Sequence, residues 1–307
     1  MFRPASHVTA AVYGLMSSWS VSANAVQAGV EPALVAVRTI TIPPSIDLVG
    51  VVGSKDGRIA IWSYDAVFVV APGGDSIIPL TEDLDGLLAV APTDNGWEVV
   101  DGGEDVIYAF QSYMDDPRDT RRLSLSTSPF SAARISCGWV FQLWDFTSQS
   151  GTLVLIDHSG HATWSINITW VAQQPRSRGQ VVQLVSAGDR VTATALGYPF
   201  ETAFVECSGS VRKLDNGPPF SPNDSWIALG TVPIPGGFVT TYSDLASNYR
   251  RLRRRDEHGR FVQETVLEVP LGLVGSVGPN SIIGVRRTDL LEVVIYEIHM
   301  APSGHDG

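Results

Sequence analysis

One pattern recurs along the chain: an apolar run, a tight turn, and a second apolar run. It appears as LVGVVGSKDGRIAIW, LLAVAPTDNGWEVV, AARISCGWVFQLW, VVQLVSAGDRVTATA, IALGTVPIPGGFVTTY and LVGSVGPNSIIGV. The turns fall near Gly57, Gly96, Gly138, Gly188, Gly237 and Asn280. That spacing is about 45 residues, within the range of propeller blades. A second turn series follows each of the first five units, at Gly73-Gly74-Asp75, Asp115-Asp116-Pro117, Ser159-Gly160-His161, Ser208-Gly209-Ser210 and His258-Gly259-Arg260. Two turn series locked in phase divide each unit into four short segments.

Those segments are strands. VFVVAP, LVLIDH, FVTTYS and EVVIYEI are β-branched and aromatic, which suits a pleated, half-buried surface. Asp-Gly, Asn-Gly and Gly-Gly pairs supply the positive φ that two-residue hairpins need. No capped segment with 3.6-residue periodicity interrupts the series. Four strands per unit and a period in the forties predict an all-β, six-bladed β-propeller with four antiparallel strands per blade. The sixth unit, from Leu271 to about His299, has only three strands, and the surplus strand lies at the other end in LVAVRTITI, residues 34–42. Pairing the two ends closes the ring and leaves no blade short of a strand.

In strand order and period the chain resembles six-bladed propellers of the NHL and TolB-like type, which occur in many bacterial exported proteins. The resemblance covers nearly all of residues 33–300. It implies a fold, because one such scaffold carries many activities.

Ahead of the repeats, Arg3 in a polar head, the apolar stretch from Val8 to Met16 and the small-x-small triplet Ala23-Asn24-Ala25 predict a secretory signal peptide over residues 1–25. The expected product is one propeller over residues 26–300 with a flexible tail, 301–307, secreted or periplasmic. No later run of 18 apolar residues predicts a membrane span. The net charge of −11 speaks against nonspecific nucleic-acid binding, which displaces counterions with basic surface. The propeller is expected to be a monomer.

Antiparallel order sorts the loops. First-to-second and third-to-fourth turns share one face. Second-to-third turns and the proline-rich connections between blades share the other, where a rigid scaffold presents variable loops. On that second face stand Trp62, Tyr64 and Asp65; Trp144 and Asp145; Tyr198; Tyr242 and Asp244; and Arg286 and Arg287. Aromatic rings and carboxylates around a funnel predict a site for a peptide, glycan or protein partner. The bland reading of the same residues is Asp as a turn former and aromatics packed between blades.

An enzyme is the alternative. Asp47, Asp85, Asn223 and Asp224 precede inner strands and are the candidate ligands of a divalent cation, Ca²⁺ by their hard oxygens. Six-bladed lactonases hold a cation in such a place, but their ligand pattern does not map onto this chain. His158 and His161 form an H-x-x-H that falls on a turn and lacks further ligands for zinc. No G-x-S-x-G elbow is present. The run Arg250-Arg251-Leu252-Arg253-Arg254-Arg255 is expected to pair with nearby acids such as Asp256 and Glu257. Cys137 and Cys207 sit on turns of adjacent blades and are expected to be two thiols, too far apart to bridge.

Overall fold

The computed structural model describes residues 34–111, 117, 119–127, 129–145, 150–168, 182–195, 202–215, 217, 226–244, 250–267, 271–277 and 281–298. The signal-peptide and tail expectations, on residues 1–25 and 301–307, lie outside this set, as does Asn280.

The first strand, β1 (Leu34–Thr41), belongs to the last sheet. Blade 1 follows with β2 (Gly50–Gly53), β3 (Ile59–Trp62), β4 (Val67–Val70) and β5 (Ile77–Thr81). Blade 2 holds β6 (Leu87–Pro92), β7 (Gly96–Asp101), β8 (Val106–Gln111) and β9 (Asp119–Arg122). Blade 3 holds β10 (Pro129–Ile135), β11 (Gly138–Asp145), β12 (Ser150–Asp157) and β13 (Ala162–Asn167). Blade 4 holds β14 (Val182–Ala187), β15 (Arg190–Ala195), β16 (Thr202–Glu206) and β17 (Val211–Lys213). Blade 5 holds β18 (Trp226–Ile234), β19 (Gly237–Asp244), β20 (Arg250–Arg255) and β21 (Phe261–Val266). Blade 6 contributes β22 (Gly272–Val277), β23 (Ser281–Arg287) and β24 (Leu291–Ile298), and its fourth strand is β1. The chain is therefore a six-bladed β-propeller, every sheet four antiparallel strands.

The closing ladder runs from Leu34 opposite Ile298 to Thr41 opposite Glu292. Its register slips between Ala36 and Arg38. A bulge of this kind bends the strand and re-aims a side chain. Val37 is thrown outward, 49% exposed, and Arg38 Nη2 donates across the seam to the carbonyls of Ala71 (2.9 Å) and Gly74 in blade 1. The ladder thus closes blade 6, and the arginine ties that blade to the next.

Inner strands β2, β6, β10, β14, β18 and β22 each pack against the inner strands of both neighbours. At the β2–β22 crossing a Cβ on Gly53 would lie 2.1 Å from Val277 Cγ2 and 2.9 Å from the Ser276 carbonyl. Only glycine fits there, because the obstacle includes backbone.

Apolar side chains fill five of the six seams. Ala60, Val69, Trp97 and Val99 fill seam 1/2, and Val100, Trp139, Phe141 and Ile156 fill seam 2/3. Val140, Leu153, Val191 and Val205 fill seam 3/4. Val232, Val239, Leu252, Ile282 and Val294 fill seam 5/6, and Ile40, Ile59, Ile61, Ile283 and Val293 fill seam 6/1. Seam 4/5 differs. Its apolar part is split into Phe204, Leu214 and Phe238 on one side and Trp226, Ala228 and Tyr242 on the other.

Between these two groups runs a buried polar band. Thr192 Oγ1 lies 2.8 Å from the Thr231 carbonyl, and the Thr231 and Thr240 hydroxyls are 3.0 Å apart. Arg255, fully buried, donates to Thr240 Oγ1 and to the Tyr242 hydroxyl, both at 2.8 Å. Arg253, 1% exposed, pairs with Glu264 at 2.6 Å and lies over the rings of Tyr242 and Phe261. The basic run therefore alternates as its sequence requires, with Arg251, Arg253 and Arg255 on one face. Its principal acid is Glu264 on the adjacent strand, since Asp256 and Glu257 lie in the turn beyond, where Asp256 holds Arg260.

The cysteine expectation is corrected. Cys137 and Cys207 form a disulfide, with Cα atoms 6.0 Å apart. Strand order alone put an inner turn of blade 3 far from an outer turn of blade 4. Blade twist brings them together: Trp164 Nε1 of blade 3 donates to the Cys207 carbonyl (3.1 Å), and the Ser136 amide donates to Gly188 (2.8 Å).

Two outer turns are copies of each other. Asp157 Oδ1 accepts the amides of Ser159 and His161, each at 2.9 Å, and Asp256 Oδ1 accepts those of His258 and Arg260 at the same distance. H-x-x-H is thus part of a D-x-x-G-x hairpin, with both histidines exposed. In blade 1, Asp56 in the β2–β3 turn is lowered to about 2, chiefly by the Arg58 side chain. Asp157 is lowered chiefly by the Ser159 hydroxyl, while Asp256 is lowered by its Arg260 and His258 bonds against opposing desolvation.

Two outcomes follow. Arg38→Ala removes two bonds to buried-side carbonyls and is expected to lower unfolding free energy by about 1–3 kcal/mol in a denaturant titration. The three lowered aspartates are ionised in the fold at pH values where the unfolded chain binds protons. Their stabilisation is complete above about pH 5 and is lost as pH falls through the folded values, which for Asp56 means toward about 2. Thermal midpoints measured from pH 5 downward should fall, and a triple Asp→Asn variant at these sites should show a shallower fall.

Candidate functional site

Among the described residues, turns β3–β4, β7–β8 and β23–β24 and the connections over 42–49, 82–86 and 123–127 belong to the funnel face. The best-ordered sector joins blades 1 and 2. Leu84 and Leu87 amides donate to Asp65 and Tyr64 carbonyls, each at 2.9 Å, and the Gly102 amide donates to Gly86 at 3.0 Å. These bonds sew each turn to the neighbouring connection.

At the centre of the stitching is Asp101, 1% exposed. Its Oδ1 accepts the Gly103 (2.8 Å) and Glu104 (3.2 Å) amides, and its Oδ2 accepts the Asp85 amide (3.0 Å). Gly103 sits so close to this connection that a Cβ would fall 1.4 Å from the Asp85 carbonyl. The sequence reading passed over Asp101. Its signal was the Asp-Gly-Gly order at a second-to-third turn, where a carboxylate can reach backbone amides two residues on.

Around this buried anchor the rim is acidic. Asp65, Glu82, Asp83, Asp85, Glu104 and Asp105 are all exposed. Tyr64 is half-buried among them. Ser63 Oγ donates to Asp65 Oδ1 at 2.8 Å and accepts the Ala66 amide at 3.2 Å, fixing that turn. Glu104 accepts the Tyr108 hydroxyl, and this bond, with burial, pushes the phenol up to about 12.

The other expected site residues fall in different surroundings. Trp62 is half-buried, its ring lying over Gly50, where a Cβ would meet Cζ2 at 2.1 Å. Tyr242 is 1% and Asp244 2% exposed, both inside the blade 5 packing. Arg286 is half-buried and pairs with Glu292 at 2.6 Å, while Arg287 is exposed. Trp144 and Asp145 end β11; their side chains, and Tyr198, Asn223 and Asp224, lie outside the described residues. Of the candidate cation ligands, Asp47 and Asp85 are exposed. Among the described residues no three His, Cys, Asp or Glu side chains come together to hold a metal ion.

Asp101→Ala strips three amides of their acceptor. The expected cost is about 3 kcal/mol, with hydrogen exchange at Asp85, Gly103 and Glu104 speeding up while the blade 5 core stays protected.

No protein-family model matches the chain, and no curated protein matches it. Solved structures do. A chain of a mitotic checkpoint complex crystal structure aligns at TM-score 0.55 and 8% identity, covering 92% of this chain and 98% of that one. The β-propeller domain of Myceliophteria thermophila Cps50 (Swd1) aligns at TM-score 0.51 and 11% identity, covering 87% and 100%. At such identities the likeness shows the fold alone, a β-propeller.

Proposed function

We propose that the chain is an exported binding propeller whose funnel face holds a basic peptide or a basic segment of a protein partner. The observation that carries this reading is the acidic rim of blades 1 and 2. Its six exposed carboxylates stand on turns pinned by a buried aspartate. A fixed field of one sign steers and orients a partner of the other sign at little cost in loop ordering. Tyr64 beside it offers flat contact area. Export is supported by the disulfide between blades, since such bonds persist in oxidising compartments.

Purified protein should bind a fluorescent Arg/Lys-rich peptide with an affinity that falls as salt rises. Glu82→Lys with Glu104→Lys should weaken that binding roughly tenfold or more. Asp94→Lys, on the opposite face, should leave it unchanged. Equal loss in Asp94→Lys, or binding of neutral oligosaccharides that ignores all three changes, would sink the peptide assignment. Protein from the exported fraction should expose its two cysteines to alkylation only after reduction.

A further inference from the structure

The innermost strands share an irregularity at their funnel ends. In β6, Leu87 lies opposite Asp101 and Ala89 opposite Val100, and Leu88 is an extra residue between them. In β10, β18 and β22 the extra residues are Phe130, Leu229 and Val274. In blade 1 the Val49 amide donates to the Trp62 carbonyl (2.8 Å), although Gly50 is the residue opposite Trp62, so Val49 takes the same part. In blades 2, 3 and 5 the rung next to the insert lies at Val100, Gln142 and Thr241, each four positions past the hairpin glycine, Gly96, Gly138 or Gly237. Blade 4 pairs without a break over β14. A bulge re-aims a side chain, and here five blades spend theirs on Val, Leu, Phe, Leu and Val.

Packing places these side chains around the axis. Leu88 joins Ala89 and Ala91 at seam 2/3, and Val274 joins Val277 and Ile283 at seam 6/1, so each leans toward the next blade where two innermost strands meet. Leu229 is buried. Val49, Leu88, Phe130 and Val274 are only half-buried, although Leu48 and Gly50 beside Val49, and Leu87 and Ala89 beside Leu88, are buried. An innermost strand has a seam on each face and its ladder partner along one edge. The surface left to it is the channel. Side chains that plugged the channel by packing on one another would be buried, whereas four of these keep apolar surface at its mouth.

We propose that this apolar collar seats one large apolar side chain of the basic segment that the acidic rim holds. The inference rests on that reading of the rim and adds a second requirement to the same partner. Charge complementarity selects the occupant. Asp47 and Asp85, both exposed, stand two and three positions ahead of Val49 and Leu88 on the same connections, at most about 11 Å of chain away. Glu82 and Asp83 are exposed on the blade 2 connection as well. A ligand that buries an apolar group in the collar therefore meets carboxylates just above it on two blades. They repel a fatty acid or any other anion and add nothing for a neutral ligand. A segment with Arg or Lys within about three residues of a Phe gains from both parts.

The test compares two fluorescent Arg/Lys-rich peptides that differ at one central position, Phe in one and Ser in the other. The Phe peptide should bind the full chain roughly tenfold or more tighter, the gain from burying one such side chain. Val49→Thr with Val274→Thr keeps side-chain shape, and should cut that ratio at least threefold while leaving the Ser peptide's affinity unchanged. Glu82→Lys with Glu104→Lys should weaken both peptides and leave the ratio as it was. On the unaltered protein, a benzophenone side chain in place of the Phe ring should cross-link to residues 48–52, 87–91 or 273–277. Two peptides that bind equally, with salt-dependent affinity, overturn the collar and leave the rim reading standing. Failure of both peptides to bind overturns the rim reading and the collar with it. A neutral Phe peptide that binds as tightly as the basic one overturns the joint occupant, and cross-links confined to the hairpin face overturn the location.

Discussion

Everything else in this molecule depends on the ladder between β1 and β24. A ring of sheets whose last member lacked a strand would expose an unpaired edge and let seam 6/1 spread. The ladder removes that edge with backbone hydrogen bonds, and Arg38 carries the closure one blade further by gripping carbonyls of blade 1. Because inner strands touch on both sides, a small opening anywhere must be shared round the ring. The funnel loops inherit their positions from this closure. The disulfide Cys137–Cys207 crosses seam 3/4, opposite seam 6/1, so the ring is pinned at two well-separated points. With the cysteines 70 positions apart in sequence, loop-closure entropy alone gives such a bond about 4 kcal/mol in the chain-entropy picture.

Seam 4/5 obeys a different logic from its neighbours. Thr192, Thr231, Thr240 and two buried arginines occupy positions that Val, Ile and Leu fill elsewhere. Burying a guanidinium is costly unless its donors are met. Here Arg255 reaches Thr240, the Tyr242 hydroxyl and the Asp215 carbonyl, and Arg253 reaches Glu264 with a ring on either side. Such a network tolerates little change in geometry. It specifies which blade face meets which, where an apolar seam would accept a small slide. Removing one partner leaves a buried charge unmet, so the network is conditional on all its members being present.

The fold was legible because turn chemistry and apolar runs repeat locally. The turns at Gly57, Gly188 and Gly237, and those at Gly160 and Gly259, lie where the period placed them. What was not legible depends on how sheets twist against one another. Two cysteines on turns of adjacent blades look distant in strand order and meet because the sheets are twisted. Tyr242 carries the composition of a rim aromatic, yet its hydroxyl is taken by Arg255 inside seam 4/5. Alternation tells which face a residue shares and not what opposes it. Asp101 was legible only in its local half: the Asp-Gly-Gly order points to the amide two residues on, whereas the Asp85 amide, sixteen residues back, is what makes it an anchor between blades.

The funnel face, among its described residues, is electrically lopsided. Carboxylates crowd the sector of blades 1 and 2, where Asp65, Glu82, Asp83, Asp85, Glu104 and Asp105 are all exposed. A field confined to one sector of a mouth gives a partner an orientation as well as an attraction, because a molecule with its charge at one end gains only when that end meets the sector. The rigidity argued from closure matters here. If blades 1 and 2 slid against each other, the carboxylates of the two blades would change their spacing and the preference would average away. A closed ring holds that spacing fixed, so the ladder at the chain's ends is also what lets carboxylates from two blades act together on one partner.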